Sequence, residues 1–150
     1  MPGHCNMLKT LSIIGYLGMI GGLFGLVVTQ ALLSNSPFVI AVQVMAVLLF
    51  GWARVVFGRR SYHVMANPTQ GGLVTSGPYR YLRHPIYTAF CLLTWAGVVA
   101  NWSWWPGVCG VLILGSALAR MYCEEKLVAA RYPEYAQYAA ATRRMIPFVF

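Results

Sequence analysis

Two stretches of the chain carry no charge at all: Thr10 to Ala53, and the 35 residues from Pro85 to Ala119. A helix rises about 1.5 Å per residue, so about 20 apolar residues cross the roughly 30 Å hydrocarbon core of a bilayer. Each stretch is long enough for two passes. Each is also interrupted once by turn formers, Ser34-Asn35-Ser36-Pro37 in the first and Asn101-Trp102-Ser103-Trp104-Trp105-Pro106 in the second. The expected fold is an all-α, polytopic membrane bundle of about four helices. They are placed near residues 11–33, 38–57, 85–101 and 105–131, with a short helix near 133–143. Of 150 residues only 9% are charged, against roughly 25% in soluble domains. The polar remainder is too small for a separate soluble domain of about 100 residues. Any active site must be built from helix ends and their connections, within one membrane domain spanning the chain.

Lys and Arg number 11 against three acids, a formal charge of +8. Lys9 precedes the first helix, Arg54, Arg59, Arg60, Arg80 and Arg83 surround the connection between helices two and three, and Arg120, Lys126, Arg131, Arg143 and Arg144 lie at or beyond the end of helix four. The opposite turns have none. This asymmetry predicts that both termini and the long connection face the cytoplasm, in a plasma (inner) membrane. It also assigns the charge to topology and anionic headgroups rather than to nucleic acid. Trp102, Trp104 and Trp105 suit an interfacial belt on the other side.

The four cysteines show no C-x-x-C pairing and read as reduced packing residues, with no metal site. The apolar run after Met1 to Lys9 is longer than a signal h-region of about 7 to 15 residues, so the first helix is expected to stay. Gly15, Gly18, Gly22 and Gly25 share one helical face where a second backbone can approach. Packing within the chain is the favoured use, with homodimerisation the alternative, and the sequence sets no oligomeric state. Gln30 and Gln43 are nearly the only candidates for a polar transport site near mid-membrane, so a transporter or assembly protein on the same scaffold is a minor, non-catalytic alternative.

Two polar clusters meet the cytoplasmic ends of helices three and four: Tyr79, Arg80, Arg83, His84 and Tyr87, and Arg120, Glu124 and Glu125. The hairpin brings them together. Pro85 suits a first helical position, and the first-turn N–H groups with Arg83 beside them would receive an anion. Gly71, Gly72 and Gly77 let the loop backbone come close to a ligand. Arg120 and Glu124, spaced i and i+4, are either a structural ion pair or ligand groups. His84 is open to a general-base, a capping or an orienting role.

Leu73-Val74-Thr75-Ser76-Gly77-Pro78-Tyr79 followed by Arg83-His84-Pro85-Ile86-Tyr87 closely resembles the L-V-T-S-G-x-Y-x-x-x-R-H-P-x-Y signature of isoprenylcysteine carboxyl methyltransferases. Arg120 with Glu124-Glu125-x-Leu127, then Tyr132, Glu134-Tyr135, Tyr138 and Ile146-Pro147, resembles that family's R-x-x-x-E-E block and its tail. The resemblance spans about residues 58 to 150. It implies an integral-membrane enzyme moving a methyl group from S-adenosylmethionine to a lipid or lipidated carboxylate, leaving S-adenosylhomocysteine. It further implies that Leu73, Val74, Tyr79, His84, Pro85, Ile86 and Tyr87 contact the cofactor, with Arg83 and Glu125 beside it. Glu124 would hold the cofactor's amino-acid end and Arg120 the acceptor carboxylate. Where the family commonly has a histidine, this chain has Gly71-Gly72, and His63 is the candidate substitute. Family members are usually longer, with more membrane helices, so part of the wall for a prenyl chain is expected to be missing. The related phospholipid methyltransferases, which methylate an amine, provide the alternative acceptor; a carboxylate needs no general base, and an arginine suits it better than it suits an amine.

Overall fold

The computed structural model describes residues 2–58 and 72–146. The described residues form five α-helices and one short 3₁₀ turn: α1 (Pro2–Val28), α2 (Pro37–Phe57), the turn Gly77–Arg80, α3 (Pro85–Ala100), α4 (Trp104–Arg131) and α5 (Tyr135–Ala141). α1, α2 and α4 are long and apolar enough to cross a membrane, whereas α3, at 16 residues, is shorter. At about 24 Å it falls short of a full hydrocarbon core, in keeping with the short 85–101 helix expected from the sequence. The chain is an integral membrane protein of the helical-bundle class.

α1 lies antiparallel on α4 along its glycines. A side chain at Gly15 would strike Arg120 and Ser116, one at Gly18 Ser116, one at Gly22 Ile113, and one at Gly25 Cys109. The four glycines thus form a seam within the chain. The helices meet at backbone distance, and Leu26, Ile113 and Ala117 are fully buried along the contact. α2 packs antiparallel on α3, tied by the Gln43 amide, which donates to the carbonyls of Leu32 (2.7 Å) and Leu93 (3.2 Å). Cys91, Cys109 and Cys123 are free, buried thiols, as the packing reading requires.

α1 both begins and ends earlier than the sequence expectation of 11–33. Its end is a Schellman motif: Ala31 N–H reaches Leu26 C=O at 2.9 Å, Gln30 N–H reaches Val27 C=O at 3.0 Å, and Gln30 takes the left-handed φ of 54°. The turn that follows is pressed against α3 at Gly97, where a Cβ would collide with the Leu32 carbonyl oxygen. Asn101 completes the clamp, its amide donating to the carbonyls of Ala31 (3.3 Å), Leu33 (3.0 Å) and Gly97 (3.1 Å). The polar residues of this end therefore serve backbone carbonyls that would otherwise be unsatisfied.

At the other end, residues after α5 return as a strap beneath the start of α3. Arg83 N–H donates to Arg143 C=O (2.7 Å), His84 N–H to Arg144 C=O (3.1 Å), and Arg143 N–H to Tyr81 C=O (3.1 Å), a short parallel pairing of Leu82 with Arg143. The Thr88 hydroxyl donates to Met145 C=O at 2.9 Å, and Thr142 and Met145 are buried.

Candidate active site

Four elements converge below this strap. α4 continues unbroken through Glu124 and Glu125 to Arg131, so the two acids are mid-helix. Arg120 lies sixteen residues beyond Trp104 on α4, about 24 Å along the axis, and Glu124 about 30 Å. Measured from a tryptophan belt at one interface, both sit near the opposite edge of the hydrocarbon.

There Arg120 is only 4% exposed. Its Nε donates to the Tyr87 hydroxyl (2.7 Å), Nη1 to the Ser12 carbonyl (3.1 Å) and Nη2 to Glu124 Oε1 (3.1 Å), and its guanidinium stacks over Tyr16, 5.2 Å from the ring centre. Tyr87 in turn donates to Glu124 Oε1 at 2.6 Å. The i, i+4 ion pair of the sequence reading is therefore real, and a tyrosine closes it into a triangle. Such closure is what a buried guanidinium needs at a membrane boundary.

The second acid is held from three sides. Arg144 forks onto Glu125, with Nε 3.2 Å from both carboxylate oxygens and Nη2 3.0 Å from Oε2. Arg83 Nε lies 3.4 Å from Oε1, and His84 Nε2 lies 3.3 Å from the same oxygen. The other imidazole nitrogen, Nδ1, faces Glu124 Oε2 at 3.8 Å. His84 occupies the N-cap position of α3, yet its side chain makes no capping bond. Its ring spans the two glutamates instead.

The strap engages backbone groups just ahead of the first turn of α3, where an anion site was expected. The N–H groups of Arg83 and His84 are spent on Arg143 and Arg144, and the Arg83 guanidinium bonds the Ala139 carbonyl (3.2 Å) as well as facing Glu125. Pro85 is buried at the head of α3, with Ile86 half-buried beside it.

Leu73 and Val74 line an open cleft of about 460 Å3 with Thr75, Ser76, Val56, Phe57 and Gly58. Tyr79 is buried next to it, its ring 5.3 Å from that of Phe57. Burial raises the Tyr79 phenol well above its ordinary value, and the neighbouring Tyr138 and the Glu124 charge add to this. The Tyr138 hydroxyl donates to the Tyr79 carbonyl at 2.8 Å, and burial pushes its own phenol up to about 12, with Tyr135 contributing. α5 thus packs on the loop through the face that Tyr135, Tyr138, Ala139 and Thr142 define. Gly72 adopts φ 82° and Gly77 φ 58°, values that favour glycine. His63 and Gly71 lie outside the described residues.

Most expected site residues are therefore brought to one end of the bundle. Arg144, Ser12 and Tyr16 were not anticipated. By sequence Arg144 is one of the topological charges, and the signal that finds it is Glu125: a buried acid needs cations, and Arg83 alone holds it loosely. Ser12 contributes a carbonyl, which leaves no mark in a sequence. Among the described residues no group of three or more His, Cys, Asp and Glu is placed to hold a metal ion.

The cobalt-zinc-cadmium resistance protein CzcN of Cupriavidus metallidurans is 34% identical over 80 residues, which cover 50% of this chain and 35% of that protein. The match thus spans about a third of the length of the curated relative. No solved structure matches the chain. The model of the phospholipid methyltransferases matches residues 38–135, from the start of α2 to the start of α5. The chain accordingly belongs to the phospholipid methyltransferase family, membrane methyltransferases that include the isoprenylcysteine carboxyl methyltransferases.

Proposed function

We propose that this protein is an S-adenosylmethionine-dependent methyltransferase whose acceptor is a membrane-embedded amphiphile, and that its reaction is O-methylation of a carboxylate of isoprenylcysteine type. The observation that carries the reading is the facing pair His84 Nδ1 and Glu124 Oε2, 3.8 Å apart. Glu125 is acceptor-only when ionised, so in a neutral His84 ring the 3.3 Å contact takes the proton on Nε2 and Nδ1 is an acceptor. Two acceptors that cannot bond each other make a receptor for a primary ammonium, the group at the amino-acid end of the cofactor. Glu124, whose side chain is 24% exposed, is reachable for that purpose.

Bound S-adenosylmethionine supplies a sulfonium-activated methyl group and is released as S-adenosylhomocysteine. Leu73, Val74, Tyr79, Pro85, Ile86 and Tyr87 would supply its apolar and aromatic contacts. Arg120 orients the acceptor carboxylate and offsets its desolvation. Its rigid triangle with Tyr87 and Glu124 keeps it in one geometry, so catalysis is mainly positioning. Charge balance supports a carboxylate: Arg83, Arg120 and Arg144 face Glu124 and Glu125, a surplus of one positive charge. The family's name favours a second acceptor, the amine of phosphatidylethanolamine. The distribution of basic residues supports a cytoplasmic side for both chain ends and the 58–84 connection, where a soluble cofactor would enter from water and the acceptor from lipid.

Calorimetric binding of S-adenosylhomocysteine to the purified protein tests the cofactor, and labelled-methyl transfer to a prenylcysteine or to phosphatidylethanolamine tests the acceptor. Binding is expected in the wild type and a loss of about tenfold or more in Glu124→Gln and in His84→Ala, the scale of a charge-assisted hydrogen bond. Equal affinity in all three proteins rejects the site, and preferential labelling of phosphatidylethanolamine rejects the carboxylate.

A further inference from the structure

We propose that Arg144 is a positioning residue: by clamping Glu125 it holds the His84 imidazole with its Nε2 proton on that carboxylate and its Nδ1 lone pair turned toward Glu124. The inference rests on the cofactor reading above only for the use to which Nδ1 is put.

A carboxylate bound through one oxygen can rotate about its last bond, and an imidazole hydrogen-bonded to it follows. Arg144 removes that freedom. Its planar fork contacts both Glu125 oxygens, at 3.0 to 3.2 Å, the geometry in which arginine fixes a carboxylate plane. Arg83 does not do the same work: its Nε approaches only Oε1, at 3.4 Å, and its Nη1 is occupied by the Ala139 carbonyl. With the plane fixed, Oε1 is aimed at His84 Nε2. The backbone of Arg144 holds the same histidine from below, because its carbonyl accepts the His84 N–H at 3.1 Å. One residue therefore grips the main chain of His84 directly and its ring through Glu125.

The surroundings of the ring decide what this grip achieves. Facing it are Glu124 and Glu125 from α4, the Tyr87 ring from its own helix with centroids 5.7 Å apart, Arg83 beside it, and Arg144 beyond Glu125 from the strap. Arg120 engages the other oxygen of Glu124. A ring between two carboxylates has two ways to place one proton, on Nε2 toward Glu125 or on Nδ1 toward Glu124. Only the first leaves an acceptor for a ligand ammonium. The hydrogen-bond partner of one ring nitrogen sets the state of the other, and Arg144 makes Glu125 the fixed partner.

The strap stays anchored without this side chain, since its hydrogen bonds with Tyr81, Arg83, His84 and Thr88 are made by the backbone of residues 143–145. Arg144→Met therefore removes the fork and leaves the strap's backbone hydrogen bonds in place. The test is nitrogen-15 NMR of the full chain in lipid nanodiscs with labelled histidine, the His84 signals being those lost in His84→Ala. The expected wild-type signal is a single Nε2–H tautomer. Arg144→Met should show both tautomers, and Arg144→Lys, which restores charge without the fork, should recover part of the Nε2–H form. Affinity for S-adenosylhomocysteine should fall about tenfold in Arg144→Met. A wild-type tautomer ratio in Arg144→Met overturns the proposal. If that variant does not fold, Glu125→Ala tests the same contact from the acid's side, with an unchanged ratio again overturning it. A wild type that shows the single tautomer, altered by Arg144→Met, but does not bind S-adenosylhomocysteine, overturns the cofactor reading and leaves the positioning role standing.

Discussion

The hydroxyl of Tyr87 is the smallest group on which the site depends. It donates to Glu124 at 2.6 Å and accepts from Arg120 at 2.7 Å, so it lies between a buried anion and a buried cation. Removing it leaves the Arg120 Nε proton and a Glu124 lone pair without this partner, in surroundings with little water to replace it. Tyr87→Phe should therefore cost on the order of 1–3 kcal/mol of stability, seen as a lower melting temperature of the detergent-solubilised protein. An unchanged melt would mean that the triangle is not structural. Much of this triangle was legible in the residues: Arg120 and Glu124 share a helix face, and the helix-three hairpin had to bring Tyr87 close. What could not be read is that Arg120 would also bond a main-chain carbonyl at Ser12, 108 positions away, because carbonyls are common to every residue.

Among the elements, the contact of α1 with α4 determines where Arg120 can be. The glycine spacing announced a close helix contact, and the structure supplies the partner. The end of α1 was not legible, because a left-handed cap at Gln30 is set by tertiary pressure from Gly97 and Asn101 rather than by local propensity. The seam makes its own prediction. Gly15→Leu puts bulk against the Arg120 stem, where a Cβ alone would already be 2.9 Å from Cγ, and should weaken S-adenosylhomocysteine binding along with stability, by about 1–3 kcal/mol for the latter. Gly21→Leu, on the same helix with nothing within 4 Å, should change neither. Equal effects of the two substitutions would show that the seam does not support the site.

For the molecule as a whole, the uneven placement of 11 basic residues remains the main guide to orientation. In a background lacking the native cysteines, Ser36→Cys, in the turn between α1 and α2, should react with an impermeant thiol reagent applied outside intact cells. A cysteine at Gly71 reacting instead would invert the bundle. The overall class was legible because charge-free stretches of this length have few homes other than a bilayer. The shortness of α3 also followed from the positions of Pro85 and Asn101. The strap was not legible: Thr142 to Met145 carry no periodicity, and their pairing with Tyr81 to His84 is made by backbone groups. That pairing bears on how the protein is made. Ribosomes deliver the chain from its amino end, so α1 and α2 can emerge before residues 142–146 have been synthesised. Until then Glu125 lacks the Arg144 fork and the start of α3 lacks its support, so the site is completed only after the helices that build it have been made.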